Sequence, residues 1–240
     1  MGPRRLGFAV KLLVITGASA GIGAATAAAF LAAGHAVVNL SRRPCPVSGA
    51  VHIACDLSNP DFLATAADRL GPMLHDAEQT ALVHNASRLS SDTAMATPSD
   101  ALREIIELNI VAANSLNRYV IPTMGTGSSV LLVGSTLSEK AVPGSYSYVV
   151  TKHALVGMMR ALCQDLAGTG IHTACICPGF TDTEMLRAHV PADAMAAVAG
   201  VSAFDRLIEP AEIAETLLFA AEHPVVNGAV IHANLGQRER

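Results

Sequence analysis

Tryptophan is missing from these 240 residues, aromatic side chains make up only 4% of them and charged ones only 15%. With so little charge and a formal net charge of −4, the chain offers no basic surface to neutralise phosphates, which argues against a nucleic-acid partner. Long uninterrupted apolar runs are also missing, so no membrane span is expected. Arg4 and Arg5 ahead of residues 6–14 imitate a signal peptide. Lys11 interrupts that run and the pattern continues as a strand, so a signal is rejected. The five cysteines (45, 55, 163, 175 and 177) are an odd number with no C-x-x-C, which excludes a paired disulfide framework. Buried, reduced thiols in a cytoplasmic protein are expected instead. Cys175 and Cys177 alternate along an apolar run and should face the same way. The nine histidines show no metal-ligand spacing, and no metal is expected.

What the chain has is apolar residues: 51% are hydrophobic, and alanine and valine dominate. That suits close-packed helices on a parallel sheet whose strands are buried on both faces. Strand patterns run over 10–16, 36–40, 51–55, 80–84, 129–133, 171–177 and 229–233. Helical patterns run over 24–33, 62–70, 99–119, 146–167 and 211–221, with Ser99 a candidate N-cap and Pro210 at the start of the last. Regular alternation without a linker or repeat predicts an α/β chain: a single-domain doubly wound parallel sheet over 1–240, with helices on both faces. Residues 185–207, rich in Ala, Met and Val, break the alternation and are read as a small helical lid.

Two stretches carry chemistry. Thr16-Gly17-Ala18-Ser19-Ala20-Gly21-Ile22-Gly23 joins the first strand to the first helix. Glycines allow a sharp turn and close approach to a pyrophosphate, and a helix N-terminus supplies N–H groups to it. Tyr148 and Lys152 are four apart on one helix and share a face. The ammonium would stabilise the phenolate formed when the tyrosine proton leaves. Ser135, at the C-terminal end of the preceding strand, can reach the same point, where open α/β sheets hold their ligands.

Together these stretches resemble the short-chain dehydrogenase/reductase family from about Val10 to Gly236. The family's T-G-x-x-x-G-x-G falls on Thr16–Gly23 and its Y-x-x-x-K on Tyr148–Lys152. The serine falls on Ser135, thirteen positions before the tyrosine, and the asparagine on Asn109. N-N-A-G appears as His84-Asn85-Ala86-Ser87, and P-G as Pro178-Gly179. The resemblance implies a Rossmann fold with a catalytic set of Asn109, Ser135, Tyr148 and Lys152. It implies a cofactor groove formed by Gly17, Ser19, Gly21, Ile22, Gly23, Asp56, Leu57, Asn85, Ala86, Ser87, Tyr148, Lys152, Pro178, Gly179 and Thr183. It further implies assembly as a homotetramer or homodimer through the two long helices, about 99–120 and 146–167; an apolar run on the second, with Ala154, Leu155, Met158 and Leu162, is read on the side away from Tyr148 and serves either an interface or burial against the sheet.

NAD-type members carry an acid at the end of the second strand, where this chain reads Ser41-Arg42-Arg43. Arginine can grip a 2′-phosphate that a carboxylate would repel, so NADP(H) is expected over NAD(H). The expected substrate is a small ketone or secondary alcohol with an apolar body. A regulatory or scaffold protein that binds the cofactor, and a dehydratase or epimerase using the same tyrosine, are the alternatives. His84, Ser87 and Asn234-Leu235-Gly236 depart from the family pattern.

Overall fold

The computed structural model describes residues 10–238; Arg4, Arg5 and the start of the signal-like run lie outside the described residues. Seven parallel strands form one sheet in the order β3-β2-β1-β4-β5-β6-β7. They are β1 (Lys11–Thr16), β2 (Ala36–Ser41), β3 (Val51–Ala54), β4 (Gln79–His84), β5 (Ser129–Val133), β6 (His172–Pro178) and β7 (Ala229–Ala233). The order reverses between β1 and β4, and this places a crevice beyond their C-terminal ends.

Alternate residues of each strand feed two separate cores, because successive side chains leave opposite faces. Leu12, Val14, Val38, Leu40, Leu82, Leu132, Cys175 and Cys177 pack on one side against α2 (Phe62–Asp76), α4 (Ala112–Val120) and α5 (Tyr146–Asp165). Leu13, Ile15, Val37, Val83, Leu131 and Ile176 pack on the other against α1 (Gly21–Ala32) and α8 (Pro210–Glu222). The expected doubly wound sheet is what forms. The Cys175 and Cys177 thiols do face the same way, 3.9 Å apart.

Local signals misplaced several boundaries. The helix expected over 62–70 runs on as α2 to Asp76, with Pro72 inside it. Phe62, Ala66, Leu70 and Leu74 recur every fourth residue and are all buried, so packing overrides the proline. The helix expected over 99–119 is α3 (Ser99–Ile106), a π-helical turn (Glu107–Val111) and α4. Ser99 is not its N-cap: Pro98 holds that place, and no side chain caps the helix. Leu155 lies seven residues after Tyr148, two helical turns on the same face, and is buried against the sheet rather than facing away. Beyond β6, residues 184–207 hold α6 (Glu184–His189), a 3₁₀ turn (Ala192–Ala194) and α7 (Met195–Ala199).

Candidate active site

The crevice begins with the glycine loop. Gly17 and Gly21 take positive φ, 72° and 52°, a conformation that side chains with a Cβ disfavour. Gly23 is closed in: an added Cβ would lie 2.4 Å from the Gly17 carbonyl oxygen and 2.6 Å from Asn85 Nδ2. Asn85 explains the tightness. Its Nδ2 donates to the Thr16 and Gly17 carbonyls, each at 3.0 Å, and its backbone N–H donates to Thr16 Oγ1. Ala86 N–H reaches the same hydroxyl, and Ala18 N–H donates to Asn39 Oδ1 at 2.9 Å. The loop is thus held by side chains from β2 and from the segment after β4.

α1 starts at Gly21 with no side-chain cap and no acidic residue in its first turn. Its leading N–H groups therefore have no side-chain partner and suit an anion. Thr183 flanks the loop from across the crevice, its Cγ2 3.0 Å from where a Gly21 Cβ would stand. Leu57, Thr16, Ala86 and Leu108 line an opening beside it. The Asp56 carboxylate accepts from Ser58 N–H and Oγ, and those bonds lower its pKa. At the end of β2, the buried Ser41 hydroxyl donates to the Arg43 carbonyl, while the Arg42 and Arg43 side chains are exposed. The residues fit a dinucleotide: a glycine cradle, an uncapped helix end and two exposed guanidinium arms, of which Arg43 reaches Glu184 at 3.2 Å.

The second half of the site rests on α5. Lys152, 1% exposed, donates from Nζ to the Val133 carbonyl at 2.7 Å. The same Nζ lies 5.3 Å from the centroid of the Tyr148 ring. Ser135 follows β5 and caps a 3₁₀ turn, its Oγ accepting from Leu137 N–H at 3.1 Å. That turn packs on α5 and so brings Ser135 toward the tyrosine's helix. Asn109, inside the π-helical turn, donates from Nδ2 to Thr151 Oγ1 at 3.0 Å and accepts from Arg88 N–H at 2.9 Å. Thr151 Oγ1 in turn donates to the Tyr148 carbonyl. Pro178 ends β6, and Gly179 lies against Asn234, whose Cα is 3.0 Å from a Cβ placed there. Ser19, Ile22 and Ser87 are partly buried along the same rim.

Two residues around the crevice, Asn39 and Asp92, belong to no motif in the sequence, and His84 stands out there only as a departure from one. Asn39 sits mid-pattern in an apolar strand, where its polarity was the only hint. Asp92, in the loop after β4, accepts from Ser147 N–H at 3.0 Å and from Ser147 Oγ, and its backbone carbonyl accepts from Tyr146 N–H. It thereby fixes the N-terminal turn of α5, two residues before Tyr148. His84, in the place of the family's first asparagine, is buried and bonds Asn117 Oδ1 at 2.8 Å. Burial pushes its pKa down to about 4.

Comparison with known proteins agrees with this geometry. The family model described as enoyl-(acyl carrier protein) reductase matches residues 17–238. Protein FixR of Bradyrhizobium diazoefficiens is 31% identical over 244 residues, covering 95% of this chain and 86% of that protein. The 3-oxoacyl-[acyl-carrier-protein] reductase FabG of Salmonella typhimurium is 26% identical over 246 residues, covering 96% and 98%. The solved ligand-free structure of Thermoplasma acidophilum aldohexose dehydrogenase superposes with a TM-score of 0.87 at 25% identity, covering 95% and 94%. The chain belongs to the short-chain dehydrogenase/reductase family of oxidoreductases, in its classical form.

Proposed function

We propose that the chain is an NADP(H)-dependent carbonyl reductase acting between a ketone and a secondary alcohol with an apolar body. The observation that carries this reading is the buried Lys152 ammonium beside the Tyr148 ring. Burying a cation is costly, and here it supports a phenol that gives up or takes back a proton. Tyr148 protonates the substrate oxygen in reduction and deprotonates it in oxidation. Lys152 stabilises the phenolate, and Ser135 donates its hydroxyl to the carbonyl oxygen to hold it in place. Asn109 fixes α3 and α4 to α5 at the level of Tyr148 and supports proton supply to Lys152. A bound nicotinamide would supply or accept the hydride.

Gly17, Ser19, Gly21, Ile22, Gly23 and Thr183 would hold the pyrophosphate. Asp56, Leu57, Asn85, Ala86 and Ser87 would border the adenosine, and Pro178 and Gly179 the nicotinamide. Ser41 leaves the end of β2 without a carboxylate, and Arg42 and Arg43 would meet the 2′-phosphate. Residues 185–207 act as the lid of a single domain, and the chain assembles as a homotetramer or homodimer through the α3–α4 stretch and α5. Fluorescence titration with NADPH and NADH in parallel tests the cofactor. NADPH should bind at least about tenfold more tightly, with the difference lost in Arg42→Ala; tighter NADH binding overturns the assignment. A carbonyl screen then tests the chemistry: Tyr148→Phe should lose roughly 10²- to 10⁴-fold in kcat while still binding cofactor.

A further inference from the structure

Glu184, the first residue of α6, faces the loop after β2 across the nucleotide crevice. Its Oε2 accepts from Arg43 Nη2 at 3.2 Å. The two side chains are well exposed, 66% for Arg43 and 71% for Glu184. They belong to opposite walls: Arg43 to the segment after β2, Glu184 to the segment after β6. Close by, Thr183 sits against Gly21 of the third wall and caps α6 by accepting from Leu186 N–H. The backbone carrying Glu184 is therefore fixed against the glycine loop. The next cation on α6, Arg187, makes a two-bond pair with Asp182 at 2.8 and 2.7 Å, so Glu184 is left to Arg43.

We propose that Glu184 sets the discrimination between 2′-phosphorylated and unphosphorylated dinucleotides, by competing with the 2′-phosphate for Arg43. The inference rests on the NADP(H) reading above. A phosphate that approaches Arg43 must displace a carboxylate already bonded to it, and it feels that carboxylate's repulsion afterwards. A ligand without the phosphate has no use for this guanidinium and is indifferent to the pair. An exposed ion pair contributes little, so the expected effect is roughly two- to five-fold.

The test compares adenosine 2′,5′-bisphosphate with ADP, and NADPH with NADH, on wild type, Glu184→Gln, Arg43→Gln and the double variant. Glu184→Gln should tighten the two 2′-phosphorylated ligands roughly two- to five-fold and leave ADP and NADH unchanged. In the Arg43→Gln background the substitution should do nothing. Three results overturn the competition: equal tightening of ADP, weaker binding of the bisphosphate, or an effect that survives without Arg43. Wild type that prefers the bisphosphate while Glu184→Gln matches it also overturns the competition, and leaves the cofactor reading standing. Wild type that binds NADPH and NADH equally overturns the cofactor reading, and this proposal with it. Thermal melts of all four proteins verify that each is folded.

Discussion

His84 should make the protein's stability depend on pH in a window that a single substitution removes. Its ring is buried at the end of β4, and burial pulls its pKa from 6.5 to about 4, with the Asn117 bond acting weakly the other way. The folded state keeps the imidazole neutral, whereas the unfolded chain takes up a proton below about 6.5. The stabilisation is thus fully present above 6.5 and is lost as pH falls towards 4. At roughly 1.4 kcal/mol for each pH unit between those limits, the full loss is about 3 kcal/mol. Urea unfolding followed by circular dichroism at pH 7.5, 5.5 and 4.5 measures it, with His84→Asn as the comparison. The variant should be weaker at pH 7.5 by about 1–2 kcal/mol, having lost the bond to Asn117 and some packing. Between pH 7.5 and 4.5 wild type should lose about 2–3 kcal/mol more than the variant. His35, whose pKa burial also lowers, is common to both proteins and cancels. Parallel pH profiles would refute the reasoning, because the ring would then carry the same proton folded and unfolded.

Two further substitutions test the crevice. Gly23→Ala places a methyl 2.4 Å from the Gly17 oxygen; it should cost at least about 1–3 kcal/mol in unfolding experiments and weaken NADPH binding. Gly157→Ala in α5 is the control, since a Cβ there meets nothing within 4 Å; that variant should melt slightly higher, by up to about 1 kcal/mol in stability. Asp92→Ala removes the carboxylate that accepts from Ser147 N–H and Oγ. Denaturant unfolding should fall by about 1–3 kcal/mol, and an unchanged midpoint would show that this loop does not hold the start of α5.

Much of the sheet was legible because a strand buried on both faces has to be apolar at nearly every position, as in 129–133. Tyr148, Lys152 and the glycine loop were legible because helical spacing and turn geometry are local. The misreadings share a cause. Pro72 and Ser99 carry local signals for a helix break and a helix cap, but Leu74 was decided by packing against the sheet and the start of α3 by the preceding backbone. Leu155 stays open in the sequence between an interface and the sheet, because an apolar stripe on α5 does not say which side the sheet lies on; it is in the core. Asn39, Asp92 and Glu184 act on partners 21, 55 and 141 residues away, and no short-range pattern records such pairings.

The tie made by Asn85 separates two properties of the crevice that could have been fused. Its amide binds β1, the glycine loop and the end of β4 into one piece. A change there disturbs the middle of the sheet as well as the ligand. Arg42 and Arg43 lie exposed beyond the last residue of β2, Arg43 tied only to the equally exposed Glu184, and substitution there touches no core. If the proposed cofactor reading holds, grip is built into the part of the molecule least able to drift, and choice between dinucleotides into a part free to do so. A lineage of such proteins could exchange one coenzyme for the other at the rim, repeatedly and reversibly, while the cradle stayed frozen by the requirements of folding.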